Sequence, residues 1–312
     1  MIKEYEDFES FEWTEGMGVF MERMNFRARD IGMENSKFFN PYGGRAFGYN
    51  ETTCEDLLRL GLHAYAYRNV LDVMSTRGTA TVHIYGPHER DVDIKKDWQE
   101  EFDAAYRRVH GEGGICPWEI YAGKGGGWSG AGHKVYAFLG YARVDGRNVL
   151  AVVANVSADR SVGRLYRQNA FIEVLDLLHE RFEGEPIGEK RIKYADHAAA
   201  MIIPDMNTVM LKNRPLGLLF AQEPDARFNP ASISKVLAAM TVTDICGSDR
   251  GMYEIKDLDI CNDSNYWAFP GDIESIADGM YPMLVKSNGS NTLAMARHCG
   301  ELILRERAAF GI

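Results

Sequence analysis

The stretch Lys134–Val156, KVYAFLGYARVDGRNVLAVVANV, restricts what this chain can fold into more than any other. Two apolar runs flank Asp145-Gly146, a pair that tolerates the positive φ angles of a tight hairpin. An antiparallel sheet is therefore expected. Short alternating runs at 79–86 (TATVHIYG) and 90–94 (RDVDI) read as further strands. AAAMII (198–203) and TVMLK (208–212) read as a second hairpin around Asp205–Asn207. Between the two hairpins, residues 162–182 carry Leu165, Ala170, Phe171, Val174, Leu175 and Leu178 as one helical stripe.

Helical periodicity dominates both ends. Gly18–Met33 has apolar residues at Val19, Phe20, Met24, Ala28 and Ile31. Thr53, with Asp56 three residues on, caps a helix running to Met74 whose face carries Leu57, Leu60 and Ala64. Asn40–Gly44 reads as a turn, residues 1–16 as an acidic leader, and Glu183–Lys193 as a linker broken by Pro186 and two glycines. The expected class is α/β (α+β). A helical lobe made from residues 1–75 and 232–312 lies beside an α/β lobe of residues 76–231. No internal repeat is seen.

A net charge of −10 argues against nucleic acid or an anionic membrane as main partner. The five cysteines are scattered, with no Cys-x-x-Cys pair, which suits reduced thiols. Residues 1–13 show no signal-peptide pattern, and no run approaches 18 apolar residues, so no membrane segment is expected. From the sequence as given, the expected location is cytoplasmic.

Three features carry chemistry. Ser232-Ile233-Ser234-Lys235 is the chain's one Ser-x-x-Lys, and this spacing sets a hydroxyl and an amine on one helix face. A serine becomes a useful nucleophile when an adjacent base takes its proton, and a lysine serves when burial or a second cation lowers its pKa. The plainer reading is a solvated helix start. Lys124-Gly125-Gly126-Gly127 opens a literal Gly-x-Gly-x-x-Gly, but a strand follows it, so a dinucleotide loop is not expected. It reads either as a glycine-rich turn or as a strand whose glycines admit a substrate backbone and whose lysine faces a cleft. Ser287 precedes a helix, where an N-cap is the plainer use.

These residues together resemble the penicillin-binding D-alanyl-D-alanine carboxypeptidases of the serine β-lactamase superfamily, whose marks are Ser-x-x-Lys, Ser-x-Asn and Lys-Thr-Gly. FNPASISKVLAAM (228–240) resembles the nucleophile segment, and PGDIESIADGMYPMLVKS (270–287) the approach to Ser-x-Asn. FMERMNFRARDIGMENSKFFNPYGG (20–44) is similar to the family stretch MN..A..LGM..T.F.NP.G, and TTCEDLLRL (52–60) to the helix after it. The resemblance covers 17–183 and 198–300. The order differs: the family's second half comes first here. This implies a circular permutation cut between the Ser287 helix and the Met24–Asn25 helix, with Glu183–Lys193 joining the usual end to the usual beginning. Exchange of blocks between subunits by domain swapping is the alternative. The implied fold is β-lactamase/transpeptidase-like, an antiparallel sheet flanked by helices plus an all-helical lobe.

Two motifs depart from the family. Lys124-Gly125-Gly126 lacks the hydroxyl that helps hold a substrate carboxylate; Ser129 is a possible substitute. Ser287-Asn288-Gly289 has glycine at its third position, unless a longer loop lets Asn291 supply the amide. The resemblance implies that Ser232 attacks a carbonyl with Lys235 as base, while Ser287, near Lys124, protonates the leaving amine. Backbone N–H groups of Ser232 and Gly127 would form an oxyanion hole, and Gly125–Gly127 with Asn291 would line the substrate site. No cofactor or metal is expected; His83 and His88 lack ligand partners and spacing. The expected partner is a small peptide or β-lactam-like substrate, and oligomer formation stays open. A β-lactamase, a related amidase or esterase, and a non-catalytic binder of cell-wall fragments or a protein partner are the competing functions. The family is usually exported, so a removed signal is the alternative to a cytoplasmic location.

Overall fold

The computed structural model describes residues 14–44, 48–130, 133–157, 163–204, 215–247, 251–261 and 268–311. Among these the fold is mixed α/β, with eight α-helices, a five-stranded antiparallel sheet and two small two-stranded sheets. The large sheet has strand order β3-β4-β5-β6-β7, formed by β3 (Trp118–Gly130), β4 (His133–Val144), β5 (Arg147–Ser157), β6 (His197–Ile202) and β7 (Leu218–Gln222). Asp145 and Gly146 join β4 to β5 at φ 48° and 74°, the doubly positive geometry that Asp-Gly favours. Val144 and Arg147 face each other across this turn.

Alternation along β5 divides the core in two. Leu150, Val152 and Ala154 face one cluster, whereas Val149, Ala151 and Val153 face the other. Both faces are covered, which explains the near-continuous apolar hairpin. The second face packs on α4 (Trp98–His110) and α5 (Gly163–Phe182) through Phe102, Phe138 and Phe171. Fully burying a side chain such as Phe171 contributes roughly 1.5–3 kcal/mol. Of the expected α5 stripe, Ala170, Phe171, Val174, Leu175 and Leu178 are buried, and Leu165 is half-buried.

The first face packs on α2 (Cys54–Ala66), with α3 (Arg68–Met74) against β3; α1 (Glu15–Asp30), α6 (Ser234–Cys246), α7 (Ile276–Leu284) and α8 (Gly289–Phe310) complete the same apolar cluster. Thr53 caps α2 by accepting from the Asp56 N–H at 3.1 Å. The expected single helix to Met74 breaks at Tyr67, whose ψ of 88° is not helical. The helices nearest the two ends of the chain lie side by side: a Cβ on Gly300 of α8 would stand 1.7 Å from the Gly16 carbonyl oxygen of α1. Only glycine permits that approach.

Strands β1 (Gly78–Ile84) and β2 (Arg90–Lys96) form a hairpin of their own, where the alternating runs lie. The expected strand at 208–212 and its turn fall outside the described residues; β6 pairs with β7 instead. Helix α4 and the short pair β8 (Met252–Glu254) and β9 (Ile273–Ser275) were not anticipated. The Glu183–Lys193 segment carries no helix or strand. No helix among the described residues is long and apolar enough to cross a membrane.

Candidate active site

Ser232 sits in the single helical turn Ala231–Ile233 that leads into α6, so the regular helix begins at Ser234. Two backbone bonds between Thr52 and Phe228, 3.0 and 2.9 Å, tie this segment to the start of α2. The Asn229 side-chain oxygen accepts the Ala231 N–H at 2.8 Å. Ala231 adopts φ 46°, unusual for a residue with a Cβ, so the surrounding packing must hold it there. Gly43 supplies part of that packing. It has φ 85°, and a Cβ on it would lie 1.9 Å from the Ala231 carbonyl oxygen.

Lys235 is 1% exposed. Its Nζ donates to the Tyr42 carbonyl at 2.7 Å and to Ser232 Oγ at 3.2 Å. The Tyr42 loop is held by two buried asparagines. Asn50 accepts from the Phe39 N–H at 2.7 Å and donates to Ser234 Oγ at 2.9 Å, and Asn40 accepts from the Gly43 N–H at 2.7 Å. This polar shell partners a lysine removed from solvent.

Lys124 lies in the middle of β3 and is 2% exposed. Its Nζ donates to Ser287 Oγ at 2.9 Å and to the Gly125 carbonyl at 3.0 Å. The Lys-Gly-Gly-Gly run is thus strand rather than turn, on the outer edge of the sheet. Ser287 has φ 64° and is not the N-cap of α8; Asn288 is, accepting the Asn291 N–H at 3.1 Å. Gly289 is the first residue of that helix. Asn291 is turned elsewhere. Its Nδ2 donates to Tyr253 and to both oxygens of Glu274 at 2.8–2.9 Å, and it does not line the cavity described next. The expectation that Asn291 contacts substrate is therefore corrected: the buried Glu274 carboxylate claims its amide. The Ser129 side chain lies outside the described residues.

Ser232, Lys124, Gly125, Gly127 and Ser287 line one cavity of about 490 Å³. Gly126 approaches from β3, since a Cβ there would meet the Pro230 carbonyl oxygen at 2.4 Å. Among the described residues the rest of the lining is Lys95, Lys96, Arg164, Arg167 and Lys286, with the carboxylate Glu101 and the apolar Trp98, Leu284 and Val285. Burial pushes Lys96 down to about 8 against the pull of Glu101. Burial and the neighbouring Arg164 bring Arg167 down to about 10. Burial works to raise Glu101, but Lys96 and Arg164 outweigh it and hold it below its usual range. The Arg167 guanidinium stands where a side chain at 125 would be, because a Cβ there would lie 2.4 Å from Nη1.

Among the described residues no group of three or more His, Cys, Asp or Glu is placed to hold a metal ion. His83 is a half-buried partner of Asp91 and Glu89, and His88 bonds Asp272 at 3.2 Å. Sequence reasoning missed the Tyr42 carbonyl, Asn50 and Arg167. Tyr42 lies in the stretch that reads as a turn and as similar to a family segment, with no role given to its carbonyl. Asn50 lies between that stretch and the helix Thr53 caps, where nothing is read. The signal for Arg167 was the absent side chain at position 125, which leaves room that something must fill.

No family model, no curated protein and no solved structure matches this chain.

Proposed function

We propose that this protein is a serine acyl-transfer hydrolase of the penicillin-binding D-alanyl-D-alanine carboxypeptidase type, with the β-lactamase-like fold in circularly permuted order. One observation carries the reading: Lys124 and Ser287, 163 residues apart in sequence, bond at 2.9 Å on the wall that also presents Ser232. Chance motifs have no reason to meet in one cavity. The adjacency of α1 and α8 at Gly16 and Gly300 supports the permutation, since rewiring is tolerated where chain ends lie close.

In its neutral form Lys235 donates to Tyr42 while its lone pair faces the Ser232 hydroxyl. Ser232 Oγ attacks the carbonyl carbon as Lys235 takes its proton, giving a tetrahedral oxyanion. Backbone N–H groups at Ser232 and Gly127 would stabilise that charge, each worth roughly 3–4 kcal/mol of barrier by analogy with measured donors. The proton reaches the leaving amine through Ser287, which Lys124 orients. Water then cleaves the acyl-enzyme and regenerates Ser232. An extended peptide can lie along the edge strand β3, where glycines admit its backbone.

Glycine at 125 and at 289 favours one second reading, a non-catalytic binder that keeps the cavity. A fluorescent penicillin separates the two. A covalent adduct that persists in the parent and vanishes in Ser232→Ala supports the carboxypeptidase type, and rapid turnover points to a β-lactamase. An adduct with neither protein sinks both enzymatic readings.

A further inference from the structure

Two of the five cysteines meet. Cys246 is the last residue of α6 and Cys299 lies within α8, and their sulfurs stand 3.3 Å apart where the two helices touch. The other three are placed differently. Cys54 is fully buried at the start of α2, Cys116 donates to the Trp118 carbonyl at 3.2 Å, and Cys261 accepts from Ser290 Oγ at 3.6 Å. Burial raises the thiols of Cys54 and Cys116, the latter to about 12, so both stay protonated and slow to react.

The two members of the pair differ in a way that suits oxidation in two steps. Cys246 is half-buried, and Gly247 after it is exposed. Asp244 and Ile245, just before it, line a groove of about 630 Å³, so small solutes reach this end of α6. Cys299 is fully buried behind Cys246. The bond from Cys299 lowers the Cys246 thiol against the opposing effect of burial, and the same bond holds the proton on Cys299. An attacking thiolate thus stands at the accessible position, with a resolving thiol beside it.

We infer that a peroxide converts Cys246 and Cys299 to a disulfide, which staples α6, the helix that carries Lys235, to α8. The Cys246 thiolate attacks one peroxide oxygen and the O–O bond breaks. The sulfur becomes a sulfenic acid, and the departing hydroxide takes a proton and leaves as water. The Cys299 sulfur then attacks the Cys246 sulfur, the S–O bond breaks, and the Cys299 proton goes to the leaving oxygen, which departs as a second water. Two thiols and one peroxide thus give one disulfide and two waters, and the peroxide oxygens gain the electrons the sulfurs lose. The inference does not rest on the acyl-transfer reading, since neither cysteine lines the Ser232 cavity. A disulfide holds its sulfurs about 2.05 Å apart, so each must move roughly 0.6 Å. On α8, both sides of Cys299 are held: Arg297 bonds Asp259 at 2.7 Å, and Gly300 meets the Gly16 carbonyl of α1. By contrast α6 ends at Cys246, and Gly247 leaves the helix at φ 79°. Its last turn is the part that gives way.

The test treats the whole protein with hydrogen peroxide, quenches with catalase, and unfolds it in N-ethylmaleimide so that remaining thiols cannot exchange. Peptide mapping without reductant should give a Cys246–Cys299 crosslink, lighter than the two thiol peptides by two hydrogen atoms and reversed by dithiothreitol. The crosslink should persist in Cys116→Ser and vanish in Cys246→Ser. The bond joins positions 53 residues apart and so restricts the unfolded chain. The oxidised parent should therefore melt roughly 5 °C above the reduced one, a rise absent from Cys246→Ser. Cys299 that is still alkylated after unfolding, beside an over-oxidised or unchanged Cys246, overturns the inference. A crosslink with no rise in melting temperature overturns the staple.

Discussion

Lys235 donates to the Tyr42 carbonyl at 2.7 Å, although 193 residues separate them in the chain. This bond holds the buried Lys235 amine beside Ser232 Oγ, 3.2 Å away. Lys235→Met keeps the length of the side chain and removes its charge. Under the proposed chemistry, Ser232 acylation should fall by about 10²–10⁴-fold, the usual contribution of a positioned base. The fold should survive at a cost of about 1–3 kcal/mol, because the Tyr42 carbonyl loses this buried donor. Stopped-flow acylation by a fluorescent penicillin, with a thermal melt alongside, checks this. A variant acylating at the parent rate would remove Lys235 from the mechanism.

Gly43→Ala tests the close approach that shapes the nucleophile turn. The added Cβ would clash with the Ala231 carbonyl at 1.9 Å, and φ 85° strains any residue with a side chain. A loss of about 1–3 kcal/mol is expected. Urea unfolding measures it, and acylation should slow with it because Ser232 moves with Ala231. Unchanged stability would mean that the loop gives way without cost.

How far the sequence reaches differs from element to element. Asp145-Gly146 announced its hairpin because few other pairs adopt two positive φ angles, and Thr53 announced α2 because its hydroxyl meets the Asp56 N–H. Both are local rules. Helix α4 escaped because Trp98, Phe102 and Ala105 form a narrow buried stripe among charged neighbours. The break at Tyr67 escaped because nothing in the local pattern forbids helix there. In the site, Ser232 and Lys235 were legible from spacing along one helix. The meeting of Lys124 with Ser287 depends on how β3 and the start of α8 pack, which no local pattern encodes; the motif resemblance was the route to it. The same resemblance misled at Asn291, whose partner Glu274 lies on a strand pair too short to read.

Arg297 and Asp259 form a buried ion pair at 2.7 Å that pins the segment after β8 to α8. Arg297 also donates to the Glu254 carbonyl at 2.7 Å. Arg297→Leu leaves the Asp259 carboxylate buried without its cation and should cost about 3–5 kcal/mol. Adding Asp259→Leu should recover part of that loss, because no charge is then stranded. A double-mutant cycle in urea measures both, and additive losses would show that the pair is not coupled.

Glu274 makes a prediction about pH. Burial raises its carboxyl to about 7, against hydrogen bonds from Tyr253 and Asn291 that favour ionisation; Asp272 adds to the rise and Arg90 opposes it. The folded protein thus keeps this proton at pH values where the unfolded chain, near 4.5, has released it. Across that window the native state binds more protons than the unfolded one, so stability falls as pH rises from about 4.5 to about 7 and levels off above. The full change from this group is on the order of 3 kcal/mol, at 1.36 kcal/mol per pKa unit. Glu274→Gln resembles the protonated acid and cannot ionise. Its absolute stability will shift, because an amide changes the donor pattern towards Asn291; the slope is the informative quantity. Relative to the parent, the variant should gain stability steadily between pH 5 and 7 in urea titrations, then run parallel to it. Parallel curves from pH 5 upward would place the Glu274 pKa near its ordinary value and remove burial as the controlling influence.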